Sequence, residues 1–207
     1  MVLVVHAGNR HRYERELDSM FRDRKTVFVD LAKWKGLTAD GDHEHDQFDT
    51  DAAVYLIAAE PGTGRHLSSL RLLPTTGPNL LTDVFPHLCA GALPAADDVW
   101  EVTRICFAPH LRGGARKEVF KLIALAAAEV GLVYGLRQYS VMAYLSFLPE
   151  VLAMGWDHAP LGVPQQVDER DPVVAFTLTI DSETLRKFRT QWGVRAPVLH
   201  LDTYEAA

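Results

Sequence analysis

Two strand-length apolar runs, AAVYLIAAE (52–60) and HLSSLRLLPTT (66–76), are separated only by PGTGR. So short a link, rich in Pro and Gly, turns the chain straight back, because a parallel return needs a crossover of roughly a dozen residues or more. The pair reads as an antiparallel hairpin, and it commits the chain to a sheet. VWEVTRICFAP, closed by Pro109, supplies a third strand, and QYSVMAYL and VVAFTLTI a fourth and fifth. MVLVVHAG is an opening strand or the lead-in to one. RYERELDSMFRDRKTVFVDL carries Leu17, Met20, Phe21, Val27 and Phe28 at helical spacing, which predicts an amphipathic helix ending near Lys33. ARKEVFKLIALAAAEVG is the strongest helix in the chain, with Gly131 expected as its C-cap. Short helices are expected at LLTDVFPHLC, with Thr82 or Asp83 near its start, and at LPEVLAMG; SETLRKFRTQWG forms a longer one ending at Gly193. This order predicts an α+β fold, a single-domain three-layer sandwich over residues 1–207 around a mixed, mostly antiparallel sheet.

Composition narrows the function classes. Of 207 residues, 48% are hydrophobic and 23% charged, as in ordinary globular proteins, and the net charge of −6 argues against non-specific nucleic-acid binding. Cys89 and Cys106 form no disulfide framework and have no zinc spacing. The N-terminus lacks the build of a signal peptide, and LIALAAAEVGLVYGL, interrupted by Glu129, is too short to span a bilayer. A cytoplasmic location is expected.

The acidic run DGDHEHDQFDTD (40–51) holds five aspartates, Glu44, His43 and His45. It fails as an EF-hand loop, which needs Gly at its sixth position and Glu at its twelfth, where His45 and Asp51 stand. A His/carboxylate metal site lacks a third partner at the right spacing. A solvated loop and a cradle for a cationic substrate both remain open at this level.

The element order resembles the GNAT-type N-acyltransferase fold, in which a strand, a Gly-containing turn and a long helix bind the pantetheine donor. FAPHLRGGARKEVFKL has that form, with Gly113 and Gly114 before a helix expected from near Arg116, and N–H groups at a helix start suit phosphate. FRDRKTVFVDLAKW, DQFDTDAAVYL, SLRLLPTT and VWEVTRICF together resemble the acyl-homoserine-lactone synthases, the LuxI-type autoinducer synthases of bacteria. The family pattern falls in order on Arg24, Phe28, Trp34, Asp46, Asp49, Arg71, Glu101 and Arg104. The match is close over residues 20–110 and mainly one of layout beyond.

The resemblance implies a reaction between S-adenosylmethionine and an acyl thioester, both substrates, with no cofactor and no metal. The amine attacks the thioester, and the carboxylate then closes the lactone, expelling methylthioadenosine. A substrate carrying sulfonium, ammonium and carboxylate groups calls for anionic side chains, an aromatic wall and an arginine. Asp46 and Asp49, then Phe28 and Trp34, then Arg24 and Arg104 supply these, leaving the other acids and both histidines of the run solvated. Arg24 and Arg71 read equally as structural ion-pair arginines, and Phe28 as helix core. Arg71, Arg104 and Glu101 are the candidate catalytic group. Glu101 is the candidate general base, directly or through water, or else the ion-pair partner of Arg71 or Arg104. Glu101 and Arg104 lie three apart on a strand, so either a bulge lies between them or only one faces the site. Backbone N–H groups at Ile105, Cys106 and Phe107 would meet the thioester oxygen. No Ser or Cys with a His partner suggests a covalent intermediate, which favours direct aminolysis.

The acyl pocket is expected along Met142, Ala143, Tyr144, Phe147 and Leu148. Ala143 stands near where the family carries a Thr for 3-oxo chains, which favours an unsubstituted chain. The helix LPEVLAMG carries Glu150 and no basic residue, which weighs against docking of an acidic acyl carrier protein there. Arg112, Arg116, Lys117, Lys121 and Arg137 could take that role, or hold the phosphates of acyl-CoA; the resemblance implies an acyl carrier protein as the default donor, with free acyl-CoA as the alternative. An acetyl-CoA-dependent GNAT enzyme acting on a small amine is the rival enzyme, to which LRGGARK conforms only in part. A small-molecule sensor on the same scaffold is the non-enzymatic rival.

Overall fold

The computed structural model describes residues 1–34 and 36–201. Its centre is an eight-stranded sheet, built from β1 (Val2–Val5), β4 (Val54–Ala59), β5 (His66–Pro74), β6 (Val99–Phe107), β7 (Gln138–Tyr144), β8 (His158–Pro160), β9 (Val173–Thr179) and β10 (Leu199–His200). A separate hairpin, β2 (Thr38–Asp40) with β3 (His43–His45), holds part of the acidic run. The order across the sheet is β10-β1-β4-β5-β6-β7-β9-β8. Only β1 with β10 and β6 with β7 pair in parallel, so the sheet is mixed and mostly antiparallel as expected. The short strands β2, β3, β8 and β10 have no local apolar signal of their own.

Helices cover both faces, which completes the three layers. On one face, α3 (Gly113–Val133) and α5 (Ser182–Trp192) pack on Val4, Leu56, Leu72, Val102 and Phe176. On the other, α1 (Glu14–Arg24) places Met20 against Val5, Tyr55, Ile57 and Leu73. The alternation of β4 and β5 residues between these two clusters is the period-2 pattern of a sheet buried on both sides. The first helix does not stop at Arg24; it widens into a π-helical segment, Lys25–Leu31. Two short helices, α2 (Leu80–Asp83) and α4 (Leu148–Leu152), fill in the edges, and the α2 cap is the Asn79 side chain, which accepts from the Thr82 N–H. Among the described residues no helix is long and apolar enough to cross a membrane.

Two expectations about α3 are corrected. The helix begins at Gly113, before Arg116, and Gly113 itself makes the turn into it with a positive φ of 51°. It also runs past Gly131 to Val133, and the left-handed residue beyond its end is Gly135. Glycine stands at 131 inside the helix because a side chain there has no room: an added Cβ would lie 2.9 Å from Ile180 Cδ1 and Cγ2. Glu129, the charge within the apolar helix, is buried and satisfied by Arg189 (2.9 Å) and the N–H groups of Val198 (2.9 Å) and Leu199 (3.2 Å). Gly131→Val should therefore destabilise the fold by about 1–3 kcal/mol through overpacking, read as a lower denaturant midpoint with an unchanged m-value.

Candidate active site

Six charged side chains close into a ring on the α1 face of the sheet. Arg24, on the last turn of α1, holds Asp49 in a two-bond fork (2.9 Å each) and donates from Nε to Glu44 (2.6 Å). Arg71 on β5 forks onto Asp46 (2.6 and 3.0 Å) and lies 2.8 Å from Asp49. Arg104 on β6 reaches Glu44 (3.1 Å) and Asp46 (2.6 Å). Each arginine thus bridges two carboxylates and each carboxylate two arginines. Burial alone would raise the carboxyl of Asp49, but the hydrogen bonds and charge of Arg24 and the charge of Arg71 outweigh it and hold Asp49 well below the usual range. The carboxyl of Asp46 is likewise lowered: desolvation opposes ionisation, and Arg71 and Arg104 prevail. Tyr55 donates to Asp49 (2.8 Å) and Thr103 accepts from Arg71 Nε (3.0 Å), which adds two neutral contacts to the ring.

The acidic run therefore divides differently from the sequence reading. Glu44, expected in solvent, is fully buried and belongs to the ring. Asp40, Asp42 and Asp51 are exposed, as expected. Among the carboxylates of the ring, Asp46 is the most open, its side chain 14% exposed against 4% for Asp49. His43 and His45 lie against α1 instead of standing free: His43 contacts Asp18 (2.8 Å), and the His45 ring sits 3.9 Å from that of Phe21.

Arg104 has φ +50°, and the β5–β6 register shifts beside it, with Arg71 opposite Thr103 but Ser69 opposite Cys106. One extra residue on β6 makes a bulge, which puts Glu101 and Arg104 on the same face despite their spacing. Above Arg104 lie the stacked rings of Phe28 and Trp34, 4.5 Å apart and inclined by 15°, with the guanidinium carbon 5.8 and 5.9 Å from the two centroids. The π-helical segment presents Phe28 here, and the Trp34 N–H bonds the Phe28 carbonyl (2.9 Å).

Glu101 does not pair with either arginine. Its two oxygens accept from the N–H groups of Leu80 (2.8 Å) and Leu81 (2.6 Å) at the start of α2. Burial pushes its carboxyl up to about 7, against the lowering effect of those bonds and of Arg71.

Beyond Val102 and Val141 the strands β6 and β7 no longer pair, which opens a wedge between them at the bulge. The expected acyl-pocket residues split across the sheet around this wedge. Ala143, Phe147 and Leu148 join the α3-side core, whereas Met142 and Tyr144 pack with Leu81, Leu88 and Val173 on the other face. Ile105 and Phe107 face the α3 side, and Cys106 is buried. Phe107 packs edge-on to Phe120, and Phe120 on Phe147. Arg116 lies over Phe107 (4.4 Å) and pairs with Glu150 (2.6 Å); Arg112 and Lys117 are exposed at the start of α3.

Two features escaped the sequence reading. His66, fully buried, contacts Asp23 through Nδ1 (2.8 Å) and Ser69 through Nε2 (3.0 Å), a Ser-His-Asp arrangement that the sequence search did not find because its members come from α1 and β5. Ser69 is 1% exposed beneath α1, so the group pins that helix to β5 and is closed to a substrate. Arg170 donates to the Ala32 carbonyl (2.6 Å) and lies over Tyr144 (5.2 Å), whose hydroxyl bonds Asp168 (2.9 Å), strapping the end of the π-helical segment to β7. Among the described residues no cluster of His, Cys, Asp or Glu is arranged to hold a metal ion.

Removing one charge from the ring strands its partners. Asp49→Asn leaves Arg24 and Arg71 partly uncompensated in a buried setting and should cost about 3–5 kcal/mol. Asp42→Asn, at the surface, should leave the unfolding midpoint in place. Denaturant melts of the two variants beside the parent check both.

Comparison with known proteins identifies the family. A family model described as autoinducer synthase matches residues 9–187. An isovaleryl-homoserine lactone synthase of Bradyrhizobium diazoefficiens is 35% identical over 196 residues, covering 94% of this chain and 86% of that protein. The solved structure of the CoA-dependent acyl-homoserine lactone synthase BjaI, with SAM and isopentyl-CoA, superposes with a TM-score of 0.89 at 31% identity, covering 98% of this chain and 93% of that one. A Lactobacillus plantarum protein assigned as an N-acetyltransferase aligns at a TM-score of 0.53 and 19% identity, which shows a shared fold alone. The chain belongs to the autoinducer synthase family.

Proposed function

We propose that this chain makes an N-acyl-L-homoserine lactone from S-adenosylmethionine and an acyl thioester of coenzyme A. The observation that carries the reading is the arginine–carboxylate ring under the Phe28–Trp34 stack, beside a bulged strand and an open wedge. The aromatic faces suit the sulfonium, Asp46 the ammonium, and Arg104 the carboxylate. Arg24, Arg71 and Asp49 then act through Asp46 and Arg104, holding them in place. Glu101 takes the ammonium proton; the amine attacks the thioester carbon, and the thiolate leaves. N–H groups around Ile105 to Phe107 receive the developing oxyanion. The substrate carboxylate next attacks the carbon beside the sulfonium, the C–S bond breaks, and methylthioadenosine departs. No covalent enzyme intermediate is needed.

The acyl chain follows the wedge toward Ala143, Phe147 and Leu148, where Ala143 offers no hydrogen bond to a 3-oxo group; an unsubstituted chain fits best. Coenzyme A is favoured over a carrier protein because three of the five basic residues near α3 are matched by acids, Arg116 with Glu150, Lys121 with Glu118 and Arg137 with Asp98, which leaves Arg112 and Lys117 at the helix start. That leaves a weak field for steering an acidic partner, while the Gly113 turn and the α3 N-terminus suit phosphate. The CoA dependence of the BjaI relative supports the same choice. The reaction belongs in the cytoplasm, where both substrates are made, and involves no cofactor or metal. Mass spectrometry of the purified protein with S-adenosylmethionine and a series of acyl-CoA or acyl-carrier donors tests this. Lactone and methylthioadenosine from CoA donors are expected; product from carrier donors alone would overturn the donor assignment.

Two further outcomes follow from the same roles. A base must be ionised, so turnover should fall as pH drops through about 7, by roughly tenfold per unit, in a pH–kcat profile. Glu101→Gln should remove that limb and lower kcat by about 10²-fold or more, with little change in the KM for S-adenosylmethionine. Asp46→Asn should weaken S-adenosylmethionine by about 10- to 150-fold in calorimetric titration, from a lost charge-assisted contact of about 1.5–3 kcal/mol. The acyl donor should bind as before, and chelator should leave turnover unchanged.

A further inference from the structure

Ser140 is 1% exposed, and its Oγ has no hydrogen-bond partner in the structure. Buried hydroxyls are almost always satisfied, so an orphan calls for a reason. Its position gives one. Ser140 on β7 is the register partner of Glu101 on β6, one step before the strands part at Val102 and Val141. Both side chains lie on the face opposite α3, as does Thr177, the next partner across on β9. The other charged groups acting on Glu101 are Arg71 and Asp83, and neither touches it. Leu80 and Leu81 each use one acceptor site of the carboxylate, and each oxygen keeps another.

Distance decides how that carboxylate meets its proton. Glu101 and Arg104 stand three positions apart, roughly 10 Å on a regular strand at about 3.3 Å per residue and less where the strand bulges. A proton bound for Glu101 from an amine that attacks a thioester at the bulge must cross this stretch of strand. One water molecule spans such a gap, and a buried water needs about three polar partners.

We propose that Ser140 is a positioning residue whose Oγ fixes the water through which Glu101 receives the proton of the substrate ammonium. The proton passes from nitrogen to the water oxygen while a water proton passes to a Glu101 oxygen. The amine is freed, the carboxylate becomes a carboxylic acid, and the water is regenerated. This rests on the synthase reading above.

Ser140→Ala separates this role from plain packing. Losing an unpartnered buried hydroxyl leaves the fold as stable as before or more so, because no protein partner is stranded. Steady-state kinetics with S-adenosylmethionine and acyl-CoA, a thermal melt, and proton inventories in mixed H2O and D2O are the measurements. Expected are a fall of about tenfold in kcat, KM values for both substrates within about twofold, an unfolding midpoint no lower than the parent's, and an altered proton inventory. Ser140→Thr, which keeps a hydroxyl, should recover part of the rate. An unchanged kcat and inventory in Ser140→Ala would overturn the inference alone. So would a raised KM with normal kcat, which makes Ser140 a substrate contact. Absence of lactone with the parent protein would overturn the synthase reading and this inference with it.

Discussion

The site depends on a ring of alternating charge, Arg24–Asp49–Arg71–Asp46–Arg104–Glu44, that no pair within it could maintain. A single buried ion pair barely repays its desolvation. Here each ion faces two opposite charges, the Arg24 and Arg71 forks match carboxylate geometry, and Tyr55 and Thr103 add neutral contacts. The ring also ties the acidic segment after β2 to α1, β5 and β6, fixing it over elements that the sheet and the α1 packing already hold together. Its charges sum to zero, so an incoming amino-acid group, one ammonium with one carboxylate, can trade contacts with Asp46 and Arg104 without leaving the remainder unbalanced.

Backbone irregularity does the complementary work. A regular helix after Arg24 and a regular β6 would send Phe28 and Arg104 elsewhere. The π-helical segment and the bulge bring them under one another, with Arg104 at a positive φ that a non-glycine residue adopts only under constraint. Two arginine–carboxylate contacts on Arg104 supply that constraint.

Much of the fold was legible because its strongest elements announce themselves locally. The 52–76 hairpin and the long α3 rest on short-range pattern, whereas the Glu101–Arg104 spacing left a bulge and a one-sided site both open until the register decided. The motif residues also came out in order, although their grouping did not. Glu44 reads as one more solvated acid, since its burial is decided by Arg24 and Arg104, 20 and 60 residues away. Asp23, His66 and Ser69 meet only once α1 lies on β5. Gly131 looked like a stop signal because Gly serves both to end a helix and to admit a neighbour, and only the position of Ile180 tells which. The pocket residues 142–144 alternate across the sheet, which a contiguous reading of that strand overlooked.

Glu129 ties the middle of the chain to its end. Its carboxylate sits mid-helix in α3, yet its partners are Arg189 and the backbone of Val198 and Leu199. The same stretch carries the last strand to its pairing with the first. Trimming it would therefore do more than open a sheet edge: it would leave a carboxylate stranded inside the helical layer, a loss on the scale of a broken buried ion pair, about 3–5 kcal/mol.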